Sequence, residues 1–241
     1  MKKFCVSLTT IPSRIHNLEK TIFSLKKQTI KPDKIFLNIP HNFIRFPNDK
    51  IEEKKIKEFR DLDIEIIRCD DYGPSTKLLG SVDKTKSFDC VIILDDDHIY
   101  DNKMFEIFLE AYEKKRGNYS FYVQKVFSLY MGQGADGILI DVDKLRDIKK
   151  FYNNFVFDNT NLFLNDDLWI SMYLQFVKHS PIQDLSKKLI EKINKELIYE
   201  IHISKNSLKE ELGKNFFNRR KIAKLEIIKF KIKNYFNKFS Q

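Results

Sequence analysis

Three adjacent carboxylates, Asp95, Asp96 and Asp97, follow a short apolar run at residues 91–94. A run of this kind predicts a strand that is buried on both faces, as in a parallel sheet. Because neighbouring carboxylates repel one another, we expect a counter-charge, and Mg²⁺ or Mn²⁺ bridging a diphosphate is the candidate since both ions prefer oxygen ligands. Asp97, together with Asp95, is the predicted metal-binding pair. The alternative is a solvated acidic turn.

Two further segments carry side chains that suit a nucleotide. Asp70 and Asp71 directly follow another predicted strand and can accept hydrogen bonds from a ribose or a base, while Lys77 can reach a phosphate. Thr9 and Arg14 follow the first predicted strand, and open α/β sheets bind ligands at the carboxyl ends of their strands. The alternative for both segments is a capped helix start with exposed side chains.

A second acidic pair, Asp166 and Asp167, precedes an apolar segment at 168–177 that predicts a buried helix. Asp167, or else Asp166, is the candidate general base that takes a proton from an attacking hydroxyl. A neighbouring acid raises the pKa of such a group, whereas the helix dipole lowers it. The alternative is simple capping of the helix. His202 is a candidate additional metal ligand, although an isolated histidine is more often a packed or surface residue.

The elements that must position these residues alternate between strand and helix. Apolar runs predict strands at 4–11, 34–39, 64–69 and 90–94, and helical periodicity lies between them. This alternation predicts parallel pairing with right-handed crossovers, and therefore an α/β fold. Further along, we expect strands at 119–126 and 138–142 and an amphipathic helix at 185–200.

Composition limits the class of protein. The chain has 241 residues and is 42% hydrophobic, which suits one α/β domain with a sizeable core. The three cysteines are an odd number and lie in or beside apolar runs, so free thiols of a reducing compartment are expected and no zinc site is indicated. No apolar segment is long enough for a secretory signal or a membrane span, which predicts a cytoplasmic protein.

The charge is concentrated in the last 23 residues. Residues 219–241 hold eight basic residues against Glu226 alone, so they carry most of the net charge of +9. Apolar residues recur there at helical spacing, at Ile222, Leu225, Ile228, Ile232, Phe236 and Phe239. Such a basic amphipathic helix is typical of an anionic membrane surface, the alternative being a helix packed on its own domain. We therefore predict a domain at 1–218 and a tail at 219–241. No nucleic-acid partner is expected, because the rest of the chain shows no basic face.

Taken in order, several segments resemble glycosyltransferases of the GT-A type that use nucleotide sugars. The segments similar to bacterial and viral members of this class are residues 6–14, 25–35, 71–78, 95–97 and 165–171. The resemblance implies a Rossmann-like, mostly parallel sheet flanked by helices, here with a C-terminal helical extension. It also implies a nucleotide-binding half that carries an Asp-x-Asp motif, followed by an acceptor half.

The resemblance implies roles for residues at matching positions. Donor-binding residues would be Thr9, Arg14, Asp70, Asp71, Lys77, Asp95 and Asp96, and metal-binding residues Asp95, Asp97 and His202. Asp167, with Asp166 beside it, would act as the base of an inverting transfer to a hydroxyl of a glycan or a lipid-linked acceptor. Two other classes remain open: a metal-dependent phosphatase or phosphotransferase, and a non-catalytic, membrane-associated sugar-binding module.

Overall fold

A computed structural model describes residues 2–201 and 219–237. Its centre is a seven-stranded sheet with the order β10-β6-β9-β4-β1-β2-β3. The strands of this sheet are β1 (Phe4–Thr9), β2 (Lys34–Pro40), β3 (Glu65–Cys69), β4 (Cys90–Ile93), β6 (Asn118–Ser120), β9 (Ile138–Asp141) and β10 (Ile182–Asp184). The first four strands run parallel to one another, and β9 pairs antiparallel with both β4 and β6. The predicted mostly parallel α/β sheet is thereby confirmed.

Two smaller antiparallel pairs complete the strands. β5 (His98–Tyr100) pairs with β11 (Tyr199–Ile201), and β7 (Val123–Val126) forms a hairpin with β8 (Leu129–Gly132). The helices are α1 (Leu18–Lys26), α2 (Glu53–Asp61), α3 (Thr76–Leu79), α4 (Met104–Lys114), α5 (Ile148–Phe155), α6 (Thr160–Phe163), α7 (Asp166–Met172), α8 (Ser186–Ile193) and α9 (Arg219–Asn237). A π-helical turn, Tyr173–Val177, continues α7.

The central sheet separates two apolar clusters because side chains alternate between the faces of a strand. Phe4, Val6 and Leu8 of β1 point into the cluster that includes α1, α2 and α4, whereas Cys5 joins the other cluster. That second cluster includes residues of α5, α7 and α9. Because β1 to β4 run parallel, their carboxyl ends lie at one edge of the sheet, and Thr9, Asp70, Asp71 and the acidic triplet lie there.

The basic helix α9 packs on the body of the protein. Ala223, Ile227 and Phe230 are buried in the second cluster, and the rings of Phe230 and Phe151 lie 5.6 Å apart. The apolar stripe predicted from the sequence is not the buried face of α9, since two of its residues, Leu225 and Ile232, are 49% and 52% exposed. Among the described residues, no helix is long and apolar enough to cross a bilayer. The boundary at residue 218 stays a prediction.

Two local expectations are wrong, and a third is met. The helix expected at 185–200 ends at Ile193, because Asn194 adopts a left-handed conformation with φ 52°, a common helix stop. The chain then forms β11, which pairs with β5. The single strand expected at 119–126 is two strands, β6 and β7, which belong to different sheets. The buried helix predicted at 168–177, opened by residues 165–169, is present: it begins at Asp166 after Asn165 at the N-cap position, and it turns π-helical from Tyr173 to Val177.

Candidate functional site

A cavity of about 750 Å³ lies at the carboxyl ends of the parallel strands. The loops after β1 and β4 contribute Thr9, Thr10 and Arg14 and the acidic triplet, and the loop after β3 contributes Asp71. The second half of the chain closes the cavity with residues of the β7–β8 hairpin, the following turn, the start of α7 and the start of α9. Those residues are Gln124, Val126, Met131, Gln133, Ala135, Asn165, Asp166, Asp167, Arg220 and Ala223.

The middle acid of the triplet, Asp96, is an internal anchor. Its carboxylate accepts hydrogen bonds from Thr10 Oγ1 and Arg14 Nη1, both at 2.6 Å, and its carbonyl accepts one from Thr21 Oγ1 at 2.9 Å. The residue is 6% exposed, and burial raises the pKa of Asp96 against the opposing charge of Arg14. Asp96 therefore fixes the loop on which Asp95 and Asp97 lie.

Asp95, Asp97 and His98 form a cluster that could hold a metal ion. One ligand atom from each lies within 4.8 Å of the others, and His98 Nδ1 is 2.6 Å from Asp97 Oδ1. Burial lowers the pKa of His98, but the hydrogen bond to Asp97 and the nearby carboxylates raise it by more, so the net shift is upward. Two carboxylates and an imidazole suit Mn²⁺ or Mg²⁺, provided that the imidazole gives up its proton.

The acidic triplet also has counter-charges within the protein. Lys77 forms an ion pair with Asp95, and Arg14 contacts both Asp96 and Asp97, the latter at 3.3 Å. A metal is therefore not required to hold the three acids together. Repulsion among the carboxylates alone is thus no reason to expect one. The side chains of Asp95 and Asp97 nevertheless remain 32% and 18% exposed, so both can be reached by a cation in the cavity.

Lys77 lies at the floor of the cavity between two carboxylates. Its Nζ is 2.9 Å from Asp166 Oδ2 and also contacts Asp95, and its side chain is 5% exposed. Burial lowers the pKa of Lys77, but the charges of Asp166 and Asp95 raise it by more, so the ammonium stays protonated. The backbone beneath it is fixed because the Lys77 carbonyl accepts hydrogen bonds from Ser7 Oγ at 2.5 Å and Asn38 Nδ2 at 3.3 Å.

Asp167 is held by the turn that contains Gly134, directly after β8. Its Oδ1 accepts a hydrogen bond from the Gly134 backbone N–H at 2.8 Å. A Cβ on Gly134 would lie 2.8 Å from Lys77 Nζ and 3.1 Å from an oxygen of both Asp167 and Asp95, so only glycine leaves room for all three. Burial and the adjacent Asp166 raise the pKa of Asp167 above the usual carboxyl range, against the opposing charge of Lys77. A carboxylate with a raised pKa suits a general base.

A buried hydrogen bond joins the segments that carry Lys77 and Asp167. Trp169 Nε1 donates to Ser75 Oγ at 2.9 Å, and both side chains are fully buried. Ser75 immediately precedes α3 and Trp169 lies in the first turn of α7, so the bond fixes the start of α3 against the start of α7. This contact spans 94 residues of sequence.

The remaining predicted site residues are placed as follows. Asp71 lines the cavity, but its oxygens already accept hydrogen bonds from the backbone N–H groups of Ile44 at 2.6 Å and Gly73 at 2.7 Å. Thr9 also lines the cavity, whereas Asp70 lies outside its lining. His202 lies outside the described residues. The donor-binding, metal-binding and catalytic roles of all these residues stay predictions.

Two features of the site were not foreseen from the sequence. The first feature is Gly134, whose fit against Lys77 and Asp167 depends on packing between distant segments. The second feature is a pair at the cavity rim: Gln124, with its amide oxygen facing Arg220, accepts hydrogen bonds from Arg220 Nε at 3.1 Å and Nη2 at 2.7 Å. No local pattern links a hairpin residue to a helix almost 100 residues later.

No protein-family model matches this sequence, and no curated protein matches it. Among solved structures, S. aureus TarS 1-349 is similar in complex with UDP-GlcNAc (TM-score 0.56, 11% identity, 93% of this chain and 66% of that chain). Its complex with UDP is also similar (TM-score 0.53, 12% identity, 93% and 65%). So is 4-diphosphocytidyl-2C-methyl-D-erythritol synthase from Anaerococcus prevotii DSM 20548 (TM-score 0.53, 14% identity, 90% and 96%).

The chain thus spans just under two thirds of the TarS fragment. At these identities the likeness concerns the fold. Both the seven-stranded, mostly parallel sheet and the structural neighbours agree with the GT-A type fold, so the resemblance seen in the sequence is confirmed at the level of the fold.

Proposed function

We propose that the protein transfers a sugar from a nucleoside-diphosphate sugar to a hydroxyl group. The observation that carries this proposal is the convergence of Lys77, Asp95, Asp166 and Asp167 on one point of a cavity at the carboxyl ends of the parallel strands. The Lys77 ammonium is a positive charge that can face a leaving group, and Asp167 beside it is a proton acceptor; because the carboxylates outnumber the ammonium, an anionic leaving group also calls for the cation proposed below. The complexes of TarS with UDP and UDP-GlcNAc support a nucleotide-sugar donor for a chain of this fold.

We further propose a divalent cation, Mn²⁺ or Mg²⁺, held by Asp95, Asp97 and His98. The donor set fits, since its atoms lie within 4.8 Å of one another and both carboxylates are accessible from the cavity. When bound, such a cation would neutralise charge on the diphosphate. His202, predicted as a ligand from the sequence, stays a proposal, as does the choice between the two metals.

The chain's own residues suit a single displacement with inversion. In this mechanism the acceptor oxygen forms a bond to the anomeric carbon as the bond from that carbon to the diphosphate oxygen breaks. Asp167 takes the proton of the attacking hydroxyl, and the Gly134 N–H keeps the accepting carboxylate in place. The electron pair leaves with the diphosphate, whose negative charge the Lys77 ammonium faces. Asp166 shares Lys77 with Asp95 and so keeps that ammonium protonated and fixed.

We assign the acceptor side of the cavity to residues of the β7–β8 hairpin and of α9. Gln124, Val126 and Met131 from the hairpin and Arg220 from α9 line this side. Both polar and apolar groups are present, which suits the hydroxyls and faces of a sugar ring. We propose that the acceptor is a glycan or a lipid-linked molecule. For a lipid-linked acceptor, we further propose that the protein is cytoplasmic and binds peripherally to the inner face of a membrane.

The test is a panel of nucleoside-diphosphate sugars, each assayed for hydrolysis and for a shift in Tm with Mn²⁺, with Mg²⁺ and with EDTA. We expect one donor to be hydrolysed and to raise the Tm only with metal present. Asp97→Asn should lose the metal-dependent part, whereas Asp158→Asn, which alters an exposed acid outside the cavity lining, should keep it.

Two outcomes would contradict the proposal and favour its alternatives. Release of inorganic phosphate from phosphate esters, with every sugar donor left intact, would identify a phosphatase or phosphotransferase. Binding of free sugars without turnover of any donor would identify a sugar-binding module.

A further inference from the structure

The β7–β8 hairpin carries a bulky apolar residue at its tip, in an unfavourable conformation. Phe127 follows β7 directly and has φ 55°, the left-handed region that glycine adopts far more readily. Phe127 is 55% exposed, so the part of the chain that the structure describes leaves much of this residue open to solvent. Tyr130, on β8, is also 45% exposed. The hairpin thus keeps a strained aromatic residue at the surface, a combination that is typical of functional contacts.

Three lysines surround these rings. The ammonium groups of Lys224 and Lys231 on α9 lie 5.6 Å and 5.7 Å from the centre of the Phe127 ring. Lys125 lies 5.8 Å from the centre of the Tyr130 ring. We call these five residues the tip surface. Lys231 also donates a hydrogen bond to Ser128 Oγ at 2.7 Å, which ties the helix to the hairpin turn.

The tip surface carries charge of one sign. Residues 117–133 contain no acid, and the single acid of α9, Glu226, is 4% exposed and bonded to Lys229 and Asn159. In the part of the chain that the structure describes, none of the three lysines of the tip surface forms an ion pair. Its complement is therefore anionic.

Exposed apolar residues adjacent in sequence to the two lysines of α9 favour a lipid surface over other anions. Next to Lys224 and Lys231 in sequence, α9 exposes the aliphatic residues Leu225 and Ile232. Exposed aliphatic and aromatic side chains beside lysines are the composition of elements that lie in a membrane interface, whereas nucleic-acid bases stack on aromatic rings and gain little from exposed aliphatic groups. Lysines beside exposed apolar groups can also bury their stems and keep the ammonium at lipid phosphates.

We propose that the tip surface docks on an anionic lipid bilayer, with Phe127 entering the interface and the lysines against the phosphates. This differs from the membrane contact expected from the sequence, because the hairpin contributes as much as α9 does. Gln124 and Val126 of the same hairpin line the cavity, as does Arg220 of α9, so docking brings the cavity mouth close to the bilayer. The docking itself does not depend on the proposed glycosyl transfer.

The experiment is sedimentation of the full chain with vesicles of pure phosphatidylcholine and of phosphatidylcholine containing 30% phosphatidylglycerol. We expect binding to the anionic vesicles, weakening with salt, and little binding to the neutral ones. Each lysine near such a surface contributes about a five-fold change in partitioning, so Lys224→Gln with Lys231→Gln should lower it about 25-fold. Phe127→Ser should lower it about ten-fold.

Matched controls separate the tip surface from general charge and apolarity. Phe23→Ser changes another exposed phenylalanine, and Lys54→Gln with Lys57→Gln removes two exposed lysines of α2; both should bind as the wild type does. Phe127→Gly removes the ring while suiting the left-handed turn, so it distinguishes lost contact from lost folding. Equal binding to neutral vesicles, or undiminished binding by Phe127→Gly and the double lysine variant, would overturn the proposal. Binding of duplex DNA in place of vesicles would overturn it as well.

Discussion

Gly134→Ala tests how closely the cavity floor is packed. Gly134 has no need for a left-handed backbone, so alanine suits its conformation, and the change adds only one methyl group. That methyl would lie 2.8 Å from Lys77 Nζ and 3.1 Å from both Asp167 Oδ1 and Asp95 Oδ1. Real Cβ atoms do not approach other heavy atoms within 3.0 Å, so Lys77, already enclosed by two carboxylates, must move.

The expected loss follows from the contacts that the methyl displaces. A hydrogen bond to a charged group contributes about 1.5–3 kcal/mol. Losing one such contact at the site would slow turnover about 10- to 150-fold, since about 1.4 kcal/mol is a factor of ten. Stability should change little, because the lower entropy of an unfolded chain with alanine offsets part of the clash. We expect Tm to stay within about 4 °C of the wild type.

The assay compares steady-state donor hydrolysis and thermal unfolding for wild type, Gly134→Ala and Gly117→Ala. The control is matched in its geometry, since a Cβ on Gly117 would lie 2.7 Å from Gln183 Nε2, a polar side-chain end that does not line the cavity. Gly134→Ala should lose turnover and Gly117→Ala should not. Wild-type turnover in Gly134→Ala, or equal losses in both variants, would refute the packing argument.

Two further predictions concern stability. Burial raises the pKa of Asp136 from 3.8 to about 6, so folding disfavours its ionised form and its contribution to stability falls as pH rises through about 4 to 6. From pH 4 to pH 7, the free energy of unfolding of Asp136→Asn in urea should therefore rise by about 3 kcal/mol relative to that of the wild type. A difference between the two proteins that does not change with pH would contradict this. Ser75→Ala leaves the buried Trp169 N–H without its acceptor and should cost about 1–3 kcal/mol in the same assay; the cost should vanish in a Trp169→Phe background.

Residues at strand ends were predictable from the sequence because parallel strands bring their carboxyl ends to one edge. This applies to Thr9, Asp71 and the acidic triplet, all of which line the cavity. Lys77 and Asp167 lie 90 residues apart, yet each begins a helix directed at that edge. Periodicity does not indicate that these two residues share a site. The resemblance to GT-A type proteins does, because it implies a donor-binding role for Lys77 and a catalytic role for Asp167.

Other features depend on packing that no local pattern encodes. The buried face of α9 is Ala223, Ile227 and Phe230, whereas the more conspicuous apolar stripe in the sequence includes the half-exposed Leu225 and Ile232. Likewise β11 forms because β5 offers it an edge to pair with. The one local indication that α8 ends at Ile193 is Asn194, because asparagine adopts the left-handed conformation more readily than most residues.

The most direct test of the central claim is donor turnover and donor binding in Asp167→Asn. The account predicts that turnover falls about 10²- to 10⁴-fold, the usual contribution of a general base, while the donor still raises Tm as it does for the wild type. The Gly134 N–H would then face the amide oxygen in place of the carboxylate, so the fold should persist. Wild-type turnover in Asp167→Asn would contradict the claim that this carboxylate takes the proton of the acceptor.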